Sequence, residues 1–360
     1  MPQASDVLHG EQSGGKRSRV IARVDRFTGA PADWDALARR SAGFTHFHLY
    51  GWRDVMERVF GHECIYLAAY DDANALAGVL PLVRVKSMLF GHFLVSMPFL
   101  NYGGPLGTDD AIIALVARAS DIARDSGAKL LELRSRIPLP IDLPASHRKI
   151  TVLLDLPASE PALMKQLDAK LRSQVRRPQK EGVTVRFGAD QVAPFFEVFA
   201  HHMRDLGTPT QPRALFDTIA AIFPDDCWFG CAYLDGRPVA CGCAFQWGDE
   251  VEMTWASSLN EHKKIAPNML LYYRFMERAI EAGVTTFNFG RTSPNSGTHR
   301  FKSQWGARDE QLWWYDRAAS ADVKTPSPTD SGYAWGPRIW KRLPVPVATV
   351  LGPRIVRFIP

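Results

Sequence analysis
The sequence has no run of eighteen apolar residues, so no membrane-spanning helix is expected. Its opening, MPQASDVLHGEQSGGKRSRV, lacks the apolar segment of a signal peptide. A cytoplasmic protein is therefore expected, with residues 1–17 disordered. Cysteine is scarce: the five present show no metal-ligand spacing, and no metal site is expected. Cys241 and Cys243 fall on one side of a strand-like run and read as reduced core residues. Charge of one sign is also in short supply. A net +5 over 360 residues permits an anionic ligand but does not mark a dedicated nucleic-acid binder, and no DNA partner is expected. No triad of nucleophile, histidine and acid stands out, so nucleophilic catalysis has no support.

What is present is the balance of an ordinary globular protein, 46% hydrophobic and 22% charged, long enough for two domains. Helical spacing through Leu49, Trp52, Val55, Met56 and Val59 predicts a helix over 44–60, stopped by Gly61. Residues 65–70 and 76–85 form a hairpin pattern around the turn at 71–74. A further apolar run, 88–97, leads into the glycine-rich stretch PFLNYGGP at 98–105. Thr108 or Asp109 can cap a helix through Ile122 that closes at Gly127. A strand at 130–133 then ends at Arg134.

The second half repeats this order. Residues 228–233 resemble 65–70, and Asp235-Gly236 gives a two-residue hairpin signal before 238–247. Strand 251–256 leads to a loop ending in Pro267-Asn268, a helix over 269–282 stops at Gly283, and strand 285–289 ends at Arg291. A period of roughly 160 residues is too long for a solenoid and suits two whole domains. Each copy is a β-meander followed by a strand–helix–strand crossover, so the class is mixed α/β. Loops at such strand ends favour anionic groups.

Three stretches carry candidate chemistry. Residues 285–306, TTFNFGRTSPNSGTHRFKSQWG, run from a strand into a polar loop with Arg300 and Lys302 beside Phe301 and Trp305. This is either an anion site or a surface turn with solvated charges. Residues 160–182 suggest one helix with an apolar row at Leu163, Leu167, Leu171 and Val175, with Pro178 opposing its straight continuation beyond Arg177. From Lys165 to Lys180 six basic residues meet one acid, Asp168. Arg172 and Arg176 in this stretch are candidates for phosphate or tRNA contact, or else a solvated face. Beyond a linker at 324–332, the tail WGPRIWKRLPVPVATVLGPRIVRFIP mixes apolar and basic residues, and its prolines prevent one long helix. Docking on the protein itself is expected first, and contact with an anionic membrane surface second.

The tandem repeat, with Phe289-Gly-Arg291 and SGTHRFKSQWG at 296–306, resembles the FemAB family of acyl- and aminoacyltransferases. The 98–105 loop and the tail are similar to the subgroup associated with the exosortase and PEP-CTERM sorting system. The resemblance implies two GNAT-like (acyl-CoA N-acyltransferase-like) domains, at 18–155 and 156–318, the second of BioF2-like acetyltransferase type, followed by linker and tail at 319–360. It implies transfer of an acyl or aminoacyl group to an amine of a cell-envelope or exopolysaccharide-related acceptor. The donor is aminoacyl-tRNA or acyl-CoA, with no permanently bound cofactor. Lys302 matches the lysine of the family motif Phe-Lys-x-x-Phe/Trp-Gly, and its cation would stabilise a developing oxyanion. Arg291 is the second catalytic candidate, as a holder of carboxylate or phosphate. Asn101, Tyr102, Asn268, Tyr272, Ser296, Arg300 and Trp305 are the substrate-binding candidates. Two features depart from relatives: no Gln/Arg-x-x-Gly-x-Gly/Ala pyrophosphate loop precedes either crossover helix, and no long helical-hairpin insertion is present. Glu250 and Glu252 lie where a base could sit but read as solvated carboxylates, and His299 as a surface histidine. Two other classes stay open: a non-catalytic binder of an envelope precursor, and an interaction protein held at a membrane by its tail.

Overall fold
The computed structural model describes residues 20–87, 91–318 and 335–359. The start expected to be disordered (1–17) and the linker (324–332) lie outside the described residues. The chain opens with β1 (Ile21–Arg26) and α1 (Pro31–Arg40), then a tight turn at His46–His48 and α2 (Gly51–Val55). The helix expected over 44–60 is thus broken. Thr45 takes a capping hydrogen bond arrangement with His48, and the Trp52 indole donates back to the His46 carbonyl, 3.2 Å away. These buried polar groups are satisfied only with the chain turned at 45–48. Strands β2 (Glu63–Asp71), β3 (Leu76–Ser87) and β4 (Gly91–Ser96) form the expected meander, followed by short β5 (Leu106–Gly107). Helix α3 (Asp109–Asp125) begins where expected, with the Thr108 hydroxyl accepting from Ala111 N. It crosses to β6 (Leu130–Ser135), which pairs in parallel with β4, and β7 (Ala145–Ser146) follows.

The second half runs β8 (Ile150–Asp155), α4 (Glu160–Gln166), α5 (Ala169–Lys180), β9 (Thr184–Phe187), α6 (Val192–Leu206) and α7 (Arg213–Ile222). The single helix expected over 160–182 divides at Asp168, whose carboxylate caps α5 by accepting from Leu171 N at 2.6 Å. Pro178 does not end α5: it lies in the last turn with its ring buried, and the helix runs on to Lys180. Then come β10 (Cys227–Leu234), β11 (Arg237–Trp247), β12 (Glu250–Ser258), the crossover helix α8 (Pro267–Glu281) and β13 (Thr286–Thr292), parallel to β12. The polar loop expected after this strand runs through Ser296 and then enters a short helix, α9 (Gly297–Ser303), and β14 (Arg308–Gln311) follows. The chain ends with β15 (Trp313–Ala318), α10 (Trp335–Trp340) and α11 (Val345–Val356).

Each half therefore has its meander and its crossover, but the halves exchange strands. The first sheet has the order β1-β2-β3-β4-β6-β15-β7 and the second β14-β8-β13-β12-β11-β10-β9. Strand β8, before the division drawn at residue 155, belongs to the second sheet, and β15, after it, belongs to the first. A strand's own pattern shows which face it buries and not which sheet it joins. A common core lies between the sheets, built from Phe27, Trp34, Phe47 and Trp52 of the first half and Phe195, Phe216 and Phe245 of the second. Separate cores fill the outer faces, under α3 and under α5 and α8.

Candidate active site
Strand β12 alternates by period two: Val251 and Met253 enter the core under α8, and Glu250 and Glu252 face the opposite side. The pairing of β12 with β13 covers only three steps, from Glu250 opposite Thr286 to Glu252 opposite Asn288. Both strands run on, but they part. Thr254 is an extra residue in β12 relative to β11, and β13, paired with β8 along its length, bulges between Asn288 and Arg291. A cleft of about 290 Å³ opens in the split, lined by Thr254 and Trp255 from one strand and by Phe289, Gly290 and Arg291 from the other. Asn101, Lys302 and the apolar side chains of Phe99, Phe199 and Met203 complete it.

The equivalent split between β4 and β6 is closed. The loop after β4 folds into it: Gly103 and Gly104 donate their amides to the Arg134 carbonyl at 3.0 and 2.8 Å. The Arg134 guanidinium donates to the Leu100 carbonyl at 2.9 Å and pairs with buried Glu132 at 2.6 Å. Arg291, at the matching strand end, has no carboxylate partner among the described residues; its guanidinium lies over Trp314, 4.8 Å from the ring centroid. Arg134 lies over the same ring at 4.7 Å. One split is thus plugged by its own chain, with its arginine neutralised, and the other is open with its arginine free.

Behind the wall of the open split is Glu252, with no exposed surface, bonded to the lining residues Asn101 and Thr254. The expectation that Glu250 and Glu252 are solvated is overturned. Asn101 Nδ2 donates to Glu252 Oε1 at 2.6 Å, Thr254 Oγ1 donates to the same oxygen at 3.1 Å, and Asn288 Nδ2 lies 3.1 Å from Oε2. Burial pushes the Glu252 carboxyl up to about 7, with the neighbouring Glu250 charge adding to the shift. Glu250 is held by Asn288 at 2.7 Å and by Arg136, which donates to both its oxygens and also to Glu310. Lys302, 5% exposed, donates from Nζ to the carbonyls of Gly290 at 2.7 Å and Arg291 at 3.0 Å. Burial pulls its ammonium down to about 7; Arg291 adds to this and Glu252 opposes it. Burial likewise lowers Arg291 to about 10, with Arg134 contributing, so its charge persists at neutral pH. Gly290 must be glycine: its φ is +72°, and a Cβ there would lie 3.0 Å from the Met253 carbonyl.

The sequence candidates separate into groups. Lys302, Arg291 and Asn101 meet in the cleft. Tyr102 is fully buried behind it, its hydroxyl 3.3 Å from Asn288 Nδ2. Tyr272 and Trp305 are buried in the aromatic cluster with Phe289 and do not line the cleft. Ser296 caps α9 by accepting from His299 N at 3.1 Å, and exposed Arg300 donates to the Asn295 carbonyl. Asn268 is half-buried in the first turn of α8 and is not among the residues lining the cleft. Arg172 and Arg176 line a separate groove of about 360 Å³ on α5, with Arg177 and Lys180. His299, read from the sequence as a surface histidine, is half-buried, with Nδ1 accepting from Asn295 N at 3.0 Å and Nε2 bonded to Asp309 at 2.9 Å. Asn288, Thr254 and Arg136 were missed. Asn288 sits in the quoted strand, but nothing in one strand's pattern shows that it faces two glutamates on its neighbour.

Residues 165–303 match the acetyltransferase (GNAT) domain family. Among solved structures the chain is similar to FemX, with a TM-score of 0.63 and 16% identity over 82% of this chain and 97% of that one. It is similar to the C-terminal domain of a candidate lysylphosphatidylglycerol synthetase from Agrobacterium fabrum, with a TM-score of 0.54 and 14% identity over 79% and 90% of the two chains. L-PGS from Bacillus licheniformis gives a TM-score of 0.54 and 12% identity, over 92% and 97%. No curated protein matches the sequence. The fold is a FemAB-like tandem GNAT arrangement of mixed α/β domains, as the sequence led us to expect.

Proposed function
We propose that this protein is an N-acyl or aminoacyl transferase whose reaction takes place in the split between β12 and β13. The observation that carries the reading is a buried carboxyl, Glu252, poised near neutral pH behind the wall of the open split and connected to the cleft through the Thr254 hydroxyl. Glu252 acts as general base. As the acceptor amine attacks the donor carbonyl, its proton passes to Thr254 Oγ1, whose own proton moves on to the Glu252 carboxylate. When the intermediate collapses, the carbonyl bond to the ester oxygen of tRNA or the sulfur of CoA breaks, and the proton returns by the same route to that leaving atom. The oxyanion that develops is met by the remaining N–H of Lys302, and Arg291 holds a carboxylate or phosphate of a substrate. The apolar walls, Phe99, Phe199, Met203 and Trp255, take the body of the transferred group or acceptor.

The acceptor in this reading is an amine of a cell-envelope or exopolysaccharide-related molecule, and resemblance of the 98–105 loop supports a role beside the exosortase and PEP-CTERM system. Aminoacyl-tRNA is favoured over acyl-CoA as donor by two features: the absent pyrophosphate loop and the basic groove at Arg172 and Arg176. Arg172→Glu combined with Arg176→Glu is expected to weaken tRNA binding by about tenfold or more in a filter assay at low salt. Unchanged affinity would remove the groove from the reading. The central test is turnover of aminoacyl-tRNA or acyl-CoA with amine acceptors, followed by mass spectrometry of the product. Glu252→Gln is expected to lower kcat by roughly 10²–10⁴, and Thr254→Val more than Thr254→Ser. A folded Glu252→Gln enzyme with unchanged kcat would refute the assignment of the base.

A further inference from the structure
The C-terminal tail docks on the protein and leaves an apolar surface uncovered. Helices α10 and α11 pack on α6, with Trp340, Ala348 and Val356 buried. The fit is close: a Cβ on Gly352 would lie 2.7 Å from Thr210 N, and Pro337 lies against Gly207. Arg204 donates to the Leu343 carbonyl at 3.0 Å, and Arg357 donates to the Phe60 carbonyl.

The outer side of the tail is different. Ile339 is 54% exposed, Val347 41%, Val350 60% and Leu351 38%, and Leu206, beside the Gly207–Pro337 contact, is 52% exposed. Seven large hydrophobic residues are this exposed among the described residues, and five of them lie on α10, α11 and the end of α6 on which these helices pack. Single exposed apolar residues are ordinary, but a cluster of this kind marks a contact surface. Arg338, Lys341, Arg342 and Arg354 lie on the same two helices and the turn between them, all exposed and without an ion pair among the described residues. Residues 335–360 contain no Asp or Glu. An apolar strip framed by uncompensated cations complements a bilayer interface with anionic headgroups. Aliphatic side chains enter the acyl boundary while Arg and Lys reach back to the phosphates. Helix α11 has 12 residues, far short of a membrane span, so the geometry is that of a helix lying on the surface.

We propose that the tail is an interfacial docking element that holds the protein on an anionic membrane. The element it packs on is shared with the cleft, because Phe199 and Met203 of α6 and Gln211, next to Thr210, line it. The docking surface stands on its own and does not depend on the reaction assigned to the cleft.

The test is flotation of the full-length protein with vesicles of phosphatidylcholine alone or mixed with phosphatidylglycerol. Binding to the anionic vesicles is expected to exceed binding to the neutral ones by about tenfold or more, and to fall in about 0.5 M salt. Val350→Asp with Leu351→Asp is expected to abolish binding. Arg338→Glu with Lys341→Glu and Arg342→Glu, at exposed positions, should do the same even if the first variant folds poorly. Circular dichroism and thermal melts establish that the variants are folded. The proposal is overturned if the wild type floats with neither vesicle, or if a folded variant binds as well as the wild type. A dimer in solution that Val350→Asp and Leu351→Asp dissolve would also overturn it, since a second copy would then cover the strip.

Discussion
Glu252 and Lys302 carry opposite charges, and burial brings both to a proton affinity near neutral: the carboxyl is raised to about 7 and the ammonium lowered to about 7. The base must be deprotonated and the oxyanion partner protonated, so kcat/KM is expected to follow a bell with both limbs near pH 7. Lys302→Arg keeps its cation at higher pH and should move the alkaline limb upward; a limb that stays in place would exclude Lys302 as its source. Stability follows the same two groups with opposite sign. Glu252, raised from 4.5, contributes stability that is full below about pH 4.5 and lost as pH rises through about 7. Lys302, lowered from 10.5, contributes stability that is full above about 10.5 and lost as pH falls through about 7. Melting temperatures of Glu252→Gln should therefore decline less than those of the wild type as pH rises through this range. Lys302 also fastens the carbonyls of Gly290 and Arg291, so Lys302→Ala is expected to lose stability along with activity.

At the scale of elements, the two crossovers differ in what fills the gap beyond the last paired step. In the first copy a loop rich in glycine fits under the Arg134 carbonyl; in the second the gap opens where β13 bulges between Asn288 and Arg291. Tail docking is another element-level fit. Gly352→Leu would drive a side chain into the Thr210 backbone, and overpacking of this kind costs about 1–3 kcal/mol. The expected outcome is release of α11, read as faster proteolysis after residue 343, with cleft turnover measured in the same preparation. Wild-type resistance to protease would show that the helix tolerates the larger residue in place. Sequence patterning located both crossover helices and their caps, because Thr108, Gly127 and Gly283 act within one turn of the chain. It missed the break at 45–48 and the helix at α9, where hydrogen bonds to buried or capping side chains decide the path.

At the scale of the whole molecule, the exchange of β8 and β15 and the shared aromatic core bind the halves together. A fragment ending at residue 155 would carry β8 without its sheet and lack β15. It is expected to be insoluble or to unfold without cooperativity, and the full chain to melt in a single calorimetric transition. Two well-separated transitions would show that the halves fold independently.

The sequence by itself determined the class and the repeat: hydrophobic period, turn residues and caps are local, and they mark the two meanders and crossovers in their order. It also pointed to Arg291, Lys302 and Asn101, which meet in the cleft. Only the tertiary structure decided which strands trade sheets, which split closes, and that Glu250 and Glu252 are buried between Asn101, Asn288 and Arg136. The reason is physical. Burial and proton affinity are set by neighbours far away in the chain, and a carboxylate two residues from another in a strand has the same local pattern whether it faces water or the interior.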